Sequence, residues 1–224
     1  MSRKLLRRRR KSKMIERKII ALKKDELAIK EFVKKSLGKG RLSGIKIERT
    51  PLGERVIVTT ARPGGIIGKK GENITALTES LKVKFKLQNP KVEIAEIAKP
   101  EFDAQTVADQ IAMSLERFGS NSFKIIAYRA LEKIKNAGAL GCEIVLSGKL
   151  PSEKARSWRF SYGYLKKTGE PANLVNNAQA IASTKPGITG IKVSILPPDA
   201  YMPDRIIISK KVVVAEEKTP AGAN

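Results

Sequence analysis

The stretch Pro63-Gly64-Gly65-Ile66-Ile67-Gly68-Lys69-Lys70-Gly71-Glu72-Asn73-Ile74 decides how the rest of the chain is read. Two isoleucines lead into a glycine pair that brackets two lysines, and Ile74, Leu77 and Leu81 follow at helical spacing. A helix entered through glycines is the expectation. Gly68 and Gly71 let the backbone turn tightly and approach a ligand, and the first-turn N–H groups of the next helix favour anions. Lys69 and Lys70 add two positive charges at the same place, which suits a phosphodiester backbone. A plain glycine turn with solvated lysines satisfies these twelve residues equally well, so the surrounding sequence has to choose.

The chain has 224 residues, enough for one large or two small domains with real cores, and 41% of them are hydrophobic. It carries 45 Lys and Arg against 22 Asp and Glu, a formal net charge of +23, with a pI near 10.2. A polyanion is the expected partner. Nucleic acid is favoured over a membrane, because no apolar run approaches bilayer length and the basic N-terminal stretch lacks the apolar core and cleavage site of a signal peptide. An intracellular protein is expected. One cysteine and no histidine exclude Ser-His-Asp and Cys-His catalysis and the usual zinc sites. Neither metal nor cofactor is expected, and Cys142, beside an apolar strand pattern, reads as a small buried hydrophobe.

Residues 1–24 hold twelve Lys or Arg against the single Glu16. Such an arm repels itself, which predicts disorder or a frayed helix until it meets phosphates, with Ile15, Ile19, Ile20 and Leu22 docking its last part. A helix is predicted from Asp25 to Leu37, acidic at its start and ended by Gly38 and Gly40. Ile45, Ile47 and Val56 to Val58 read as a hairpin around Thr50-Pro51-Leu52-Gly53. A helical turn over 63–67, the glycine loop, a helix from Glu72 to Lys82 and a strand over Val92 to Ala95 complete this half.

Past Lys99-Pro100 come two amphipathic helices, one with Val107, Ile111 and Leu115 inward, the next with Phe123, Ile126, Ala130 and Ile134, stopped by Gly138 and Gly141. Period-two alternation then predicts strands on Cys142-Ile144-Leu146, on Trp158-Phe160-Tyr162-Tyr164 and on Ile191-Val193-Ile195, with a weaker one over Leu174 to Ala182. Two helices on a three- or four-stranded, mostly antiparallel sheet is the compact solution, giving an α+β fold. Beyond Pro197-Pro198 the pattern is irregular, with apolar runs at Ile206 to Ile208 and Val212 to Val214 and a disordered end.

Glycine-lysine loops also bind nucleotides. The P-loop pattern fails here, since Pro63 stands where its first glycine belongs and Lys70 where Ser or Thr would hold magnesium. Even three-residue spacing of Gly65, Gly68 and Gly71 fails the dinucleotide fingerprint. What Ile67-Gly68-Lys69-Lys70-Gly71-Glu72-Asn73-Ile74 resembles is the Ile-Gly-x-x-Gly-x-x-Ile core of a KH domain, and a helix and two strands upstream look like its type II form. Such loops clamp the backbone of about four nucleotides. With Arg62-Pro63-Gly64, Tyr128-Arg129-Ala130-Leu131, Gly138-Ala139, Ser147-Gly148-Lys149-Leu150 and Lys185-Pro186-Gly187-Ile188-Thr189-Gly190-Ile191-Lys192-Val193, it is similar to the ribosomal protein S-three family of the small subunit, in its archaeal type.

That resemblance implies a basic arm over residues 1–20, a type II KH domain over 21–98, a family-specific C-terminal domain over 99–198 and an extension over 199–224. It implies a non-catalytic, cytoplasmic, ribosome-bound protein that binds ribosomal RNA in the subunit head and lines the channel by which mRNA enters, with S-ten and S-fourteen as neighbours. Bacterial members tie basic residues after a helix-opening Phe to unwinding of entering mRNA. Here the run is Phe123-Lys124-Ile125-Ile126-Ala127-Tyr128-Arg129, so Lys124 and Arg129 match while Ile125 and Tyr128 depart.

The RNA-binding candidates are Arg7, Arg8, Arg9, Arg10 and Lys11 of the arm; Gly68, Lys69, Lys70 and Gly71; Lys124 and Arg129; and Lys149, Lys154, Arg159, Lys166 and Lys167. The last five are interleaved with Trp158, Phe160, Tyr162 and Tyr164, which share a strand face and for the most part read as core, while the cations on loops and the other face read as phosphate contacts. Arg129 fits a solvated helix face as well as it fits mRNA. Two rival functions stand beside this one: a nucleic-acid lyase using a lysine amine, testable by borohydride trapping on abasic DNA, and a free-standing KH regulator of mRNA.

Overall fold

From Arg3 to Leu37 there is neither Gly nor Pro, and Lys, Arg, Leu, Ile and Ala are good helix formers. The computed structural model, which describes residues 3–50, 53–85, 87 and 89–200, accordingly runs one helix, α1, over Arg3–Leu37. The sequence had separated a basic arm from a helix beginning at Asp25. Asp25 and Glu26 instead lie inside α1, where Glu26 takes Lys23 at 2.8 Å. Ile15, Ile19, Ile20 and Leu22 are exposed and dock on nothing among the described residues. Among its described side chains α1 reaches the core through Ile29, Val33 and Leu37, before Gly38 at φ 78° ends it.

Strands β1 (Gly44–Thr50) and β2 (Gly53–Thr60) form the predicted antiparallel hairpin, Ile47 opposite Val56. Pro51 and Leu52 of its turn lie outside the described residues. The short helix α2 (Pro63–Ile67), a 3-10 turn over Lys69–Gly71 and α3 (Glu72–Phe85) follow, and β3 (Lys91–Glu96) returns parallel to β2. The sheet order β1-β2-β3 leaves one face covered by α1 and α3, with Phe32 edge-on to Phe85 at 5.8 Å. Val56, Val58, Ile66, Leu77 and Leu81 fill the space beneath the helices.

In the second half α4 (Ala104–Phe118) opens on Asp103, whose carboxylate accepts from the Thr106 backbone N–H at 2.8 Å. After a 3-10 turn at Ser120–Ser122 comes α5 (Phe123–Asn136). Four strands follow, β4 (Gly141–Gly148), β5 (Arg156–Gly163), β6 (Asn176–Thr184) and β7 (Gly187–Leu196). Their order is β5-β4-β7-β6, and all three pairings are antiparallel. Gly141 therefore opens β4 rather than stopping α5, and Tyr164 lies past the end of β5, exposed. One sheet face carries Cys142, Ile144, Leu146, Phe160, Ile191, Val193 and Ile195 onto α4 and α5. The extension's apolar runs at Ile206 to Ile208 and Val212 to Val214, and its end, lie outside the described residues.

The halves meet at the β6 edge. The Lys39 ammonium reaches the Glu116 carboxylate at 3.1 Å and donates to the Ile181 carbonyl at 3.4 Å, while the Ser183 N–H donates to Glu116 at 3.0 Å. An edge strand's unpaired backbone groups are thus satisfied by one ion pair bridging both halves. Among the described residues no helix is long and apolar enough to cross a membrane.

Candidate nucleic-acid interface

At the glycine loop the chain turns through Gly68 (φ 74°) and Gly71 (φ 82°), both in the left-handed region that favours glycine. A Cβ on Gly68 would lie 2.6 Å from Asn73 Nδ2, whereas one on Gly71 would meet nothing within 4 Å. Gly68 is therefore required by the fold of the turn, and Gly71 keeps the approach to the α3 N-terminus open. The apolar pair before the loop is split: Ile66 is 1% exposed and anchors the loop to the core, while Ile67 is partly exposed beside it. Lys69 faces solvent, and Glu72 sets a carboxylate in the first turn of α3, offsetting part of the loop's charge. The Lys70 side chain lies outside the described residues, as do those of Arg7, Arg8, Arg9, Arg10 and Lys11, whose backbones belong to α1.

Lys124, in the first turn of α5, rests its ammonium 4.9 Å from the Trp158 ring centroid. Trp158 in turn packs on Phe123 at 5.4 Å, and Tyr128 meets Phe160 edge-on at 5.2 Å. Of the aromatics read as core, Trp158, Phe160 and Tyr162 are core-anchored, with Lys124 lying over Trp158, whereas Tyr164 is exposed. Arg129 is five residues further on, about 140° around the helix. It lines a groove of about 1200 Å³ between Arg62, Lys99 and helices α4 and α5, together with Ile125. The structure does not bring Lys124 and Arg129 together.

Lys149 and Lys154 are exposed around the β4–β5 connection, and Lys166 is half-buried with its ammonium 6.0 Å from the Tyr164 ring. Arg159 and Lys167 converge on one carboxylate. Glu143 pairs with Arg159 through one oxygen and with Lys167 through the other, at 2.7 Å for the lysine. Glu143 is 8% exposed although alternation on β4 sends it away from the core, because the two cations lie over it. On the same outer face Val145 stands between Arg159 of β5 and Lys192 of β7, and Lys192 is opposite Gln179 of β6. The adjacent row reads Ser161, Glu143, Ser194 and Asn177. Glu143 and Lys192 were missed by reasoning from the sequence, though their outward places in the strand alternation marked them.

The matching family models divide along the same lines as the two sheets. A KH domain model matches residues 28–102, and a model for the ribosomal protein S3 C-terminal domain matches residues 111–195. The chain is 41% identical to small ribosomal subunit protein uS3 of Methanocaldococcus jannaschii, over 92% of this chain and 100% of the relative. It is 44% identical to the uS3 protein of Archaeoglobus fulgidus, over 85% and 82% of the two chains, and 39% identical to that of Methanococcus maripaludis, over 88% and 92%. A GxxG turn set between two helices of an α-β-β-α-α-β unit, joined to a four-stranded antiparallel sheet under two helices and matched along nearly its whole length, places the chain in the uS3 family of small ribosomal subunit proteins.

Proposed function

We propose that the chain is a non-catalytic structural constituent of the small ribosomal subunit, held there chiefly by phosphate contacts to ribosomal RNA. The observation that carries this is the likeness to small-subunit uS3 proteins along nearly the full length of both chains. Consistent with it, cations crowd the surface while the turn between Gly68 and Gly71 stays open to a backbone. In this reading the protein works in the cytoplasm on the ribosome, as an arm (1–20), KH domain (21–98), C-terminal domain (99–198) and extension (199–224). Arg7 to Lys11, Lys69, Lys70, Lys149, Lys154, Arg159, Lys166 and Lys167 contact phosphate. Lys124, and beyond it Arg129, reaches mRNA where it enters the subunit, and S-ten and S-fourteen are the head neighbours. Sucrose-gradient fractionation of lysate tests the reading: co-migration with small subunits is expected, and a light free pool would point to the free-standing regulator. Filter binding to ribosomal RNA should fall steeply with salt, by a log–log slope of about 0.9 per duplex phosphate neutralised.

A further inference from the structure

We propose that the outer face of the four-stranded sheet is a seat for RNA phosphates and that Glu143 is its positioning residue, holding Arg159 and Lys167 where a phosphodiester backbone meets them. This rests on the RNA-binding reading above and deepens it. A chain with twice as many cations as acids has placed a carboxylate on the outer face of β4, the strand flanked by β5 and β7. Burying a carboxylate is costly unless its partners compensate it, and here each oxygen has its own cation. The cations are not consumed by the pairing. Their side chains remain 57% and 52% exposed, and a guanidinium has five donors and an ammonium three.

The surroundings suit a nucleic-acid backbone better than bases. Lys192 stands two strands from Arg159, about 10 Å away, across Val145. Ser157, Ser161, Ser194, Asn177 and Gln179 supply neutral donors of the kind that meet phosphate and sugar. No aromatic projects from the outward positions of the four strands, so there is no platform on which bases stack.

Glu143 could act as a brake, by repelling RNA, or as a mount, by ordering the cations beforehand; the magnitudes favour the mount. An immobilised long side chain not ordered beforehand lowers affinity by roughly two- to tenfold. One carboxylate lying beneath two cations repels a phosphate by less than about threefold once water and physiological salt screen it.

The test is filter binding of the full chain to purified small-subunit ribosomal RNA at physiological salt. Glu143→Gln is expected to weaken binding about fivefold even though it removes a negative charge. In an R159Q/K167Q background the same change should have no further effect. Nitrogen-15 relaxation of the Arg159 Nε in the free wild-type chain should show backbone-like rigidity, which reads the mount without any variant. Tighter binding by E143Q, or a freely mobile Arg159 guanidinium, overturns the proposal. Unchanged affinity of R159Q/K167Q removes the seat itself while leaving the ribosomal reading to the gradient experiment.

Discussion

The two halves of the molecule divide the labour unequally. Among the described residues, nine buried apolar side chains form the core under the mixed sheet of the first half, against 22 in the main core of the second, so the second should be the more stable unit. The signature that identifies the chain, the turn from Gly68 to Gly71, sits on the smaller core. The larger core underlies the polar, cation-bearing outer face of β5, β4 and β7. A loop motif can thus name a family while most of the apolar burial, and by our proposal much of the RNA affinity, lies elsewhere.

The comparison can be broken first in the cores. Ile144→Ala empties a fully buried site on β4 and is expected to lose about 2–5 kcal/mol in a urea titration. Leu81→Ala, at 0% exposure in the first core, should lose a similar amount but from the first half's transition. Equal shifts of both transitions by Leu81→Ala would show that the halves unfold as one.

A smaller effect probes the clamp between them. Glu116→Gln weakens the bonds to Ser183 and Lys39 and should cost about 1–2 kcal/mol in thermal or urea unfolding. The Ser183 N–H, with Lys39, holds the Glu116 carboxyl below its ordinary 4.5. A lowered folded pKa means the contribution is present above the unfolded value and is lost as pH falls through the folded one. Wild type should therefore lose its advantage over Glu116→Gln below about pH 4.5, and an advantage that grows on acidification would contradict the assignment.

Smaller still is the loop. Gly71→Asp meets no neighbour within 4 Å but holds Asp at φ 82°, a left-handed conformation that costs about 1–2 kcal/mol, while a negative charge enters the approach. Its effect on ribosomal RNA affinity is expected to be under about threefold, against about tenfold for R159Q/K167Q, since two ordered cations are lost together. The reverse ranking would return the RNA contact to the glycine loop. The smallest effect concerns Cys142, whose thiol is pushed by burial up to about 11. At pH 8 an alkylating reagent should leave it unmodified until the second core opens. Fast labelling of the native chain would mean that this core is the looser one.

Much of this was legible before any coordinates. The hairpin, the glycine turn, both amphipathic helices and the inward faces of β4, β5 and β7 follow from periods of 3.6 and 2 that the apolar residues keep. The reach of α1 was misjudged because like charge was weighed above the absence of any breaker before Gly38. That Arg159 and Lys167, read as phosphate contacts, also share a carboxylate was not legible, because nothing in a linear chain says which of 45 basic side chains has an acidic partner.

By itself, then, the sequence determined the order of elements, the family and the inward residues, because local periodicity and turn chemistry are properties of neighbouring residues. Tertiary structure alone decided that Glu143 gathers Arg159 and Lys167 and that Lys39 and Glu116 cap the β6 edge. Each of these depends on pairing register or helix docking, which brings together residues up to 142 positions apart that no local pattern connects.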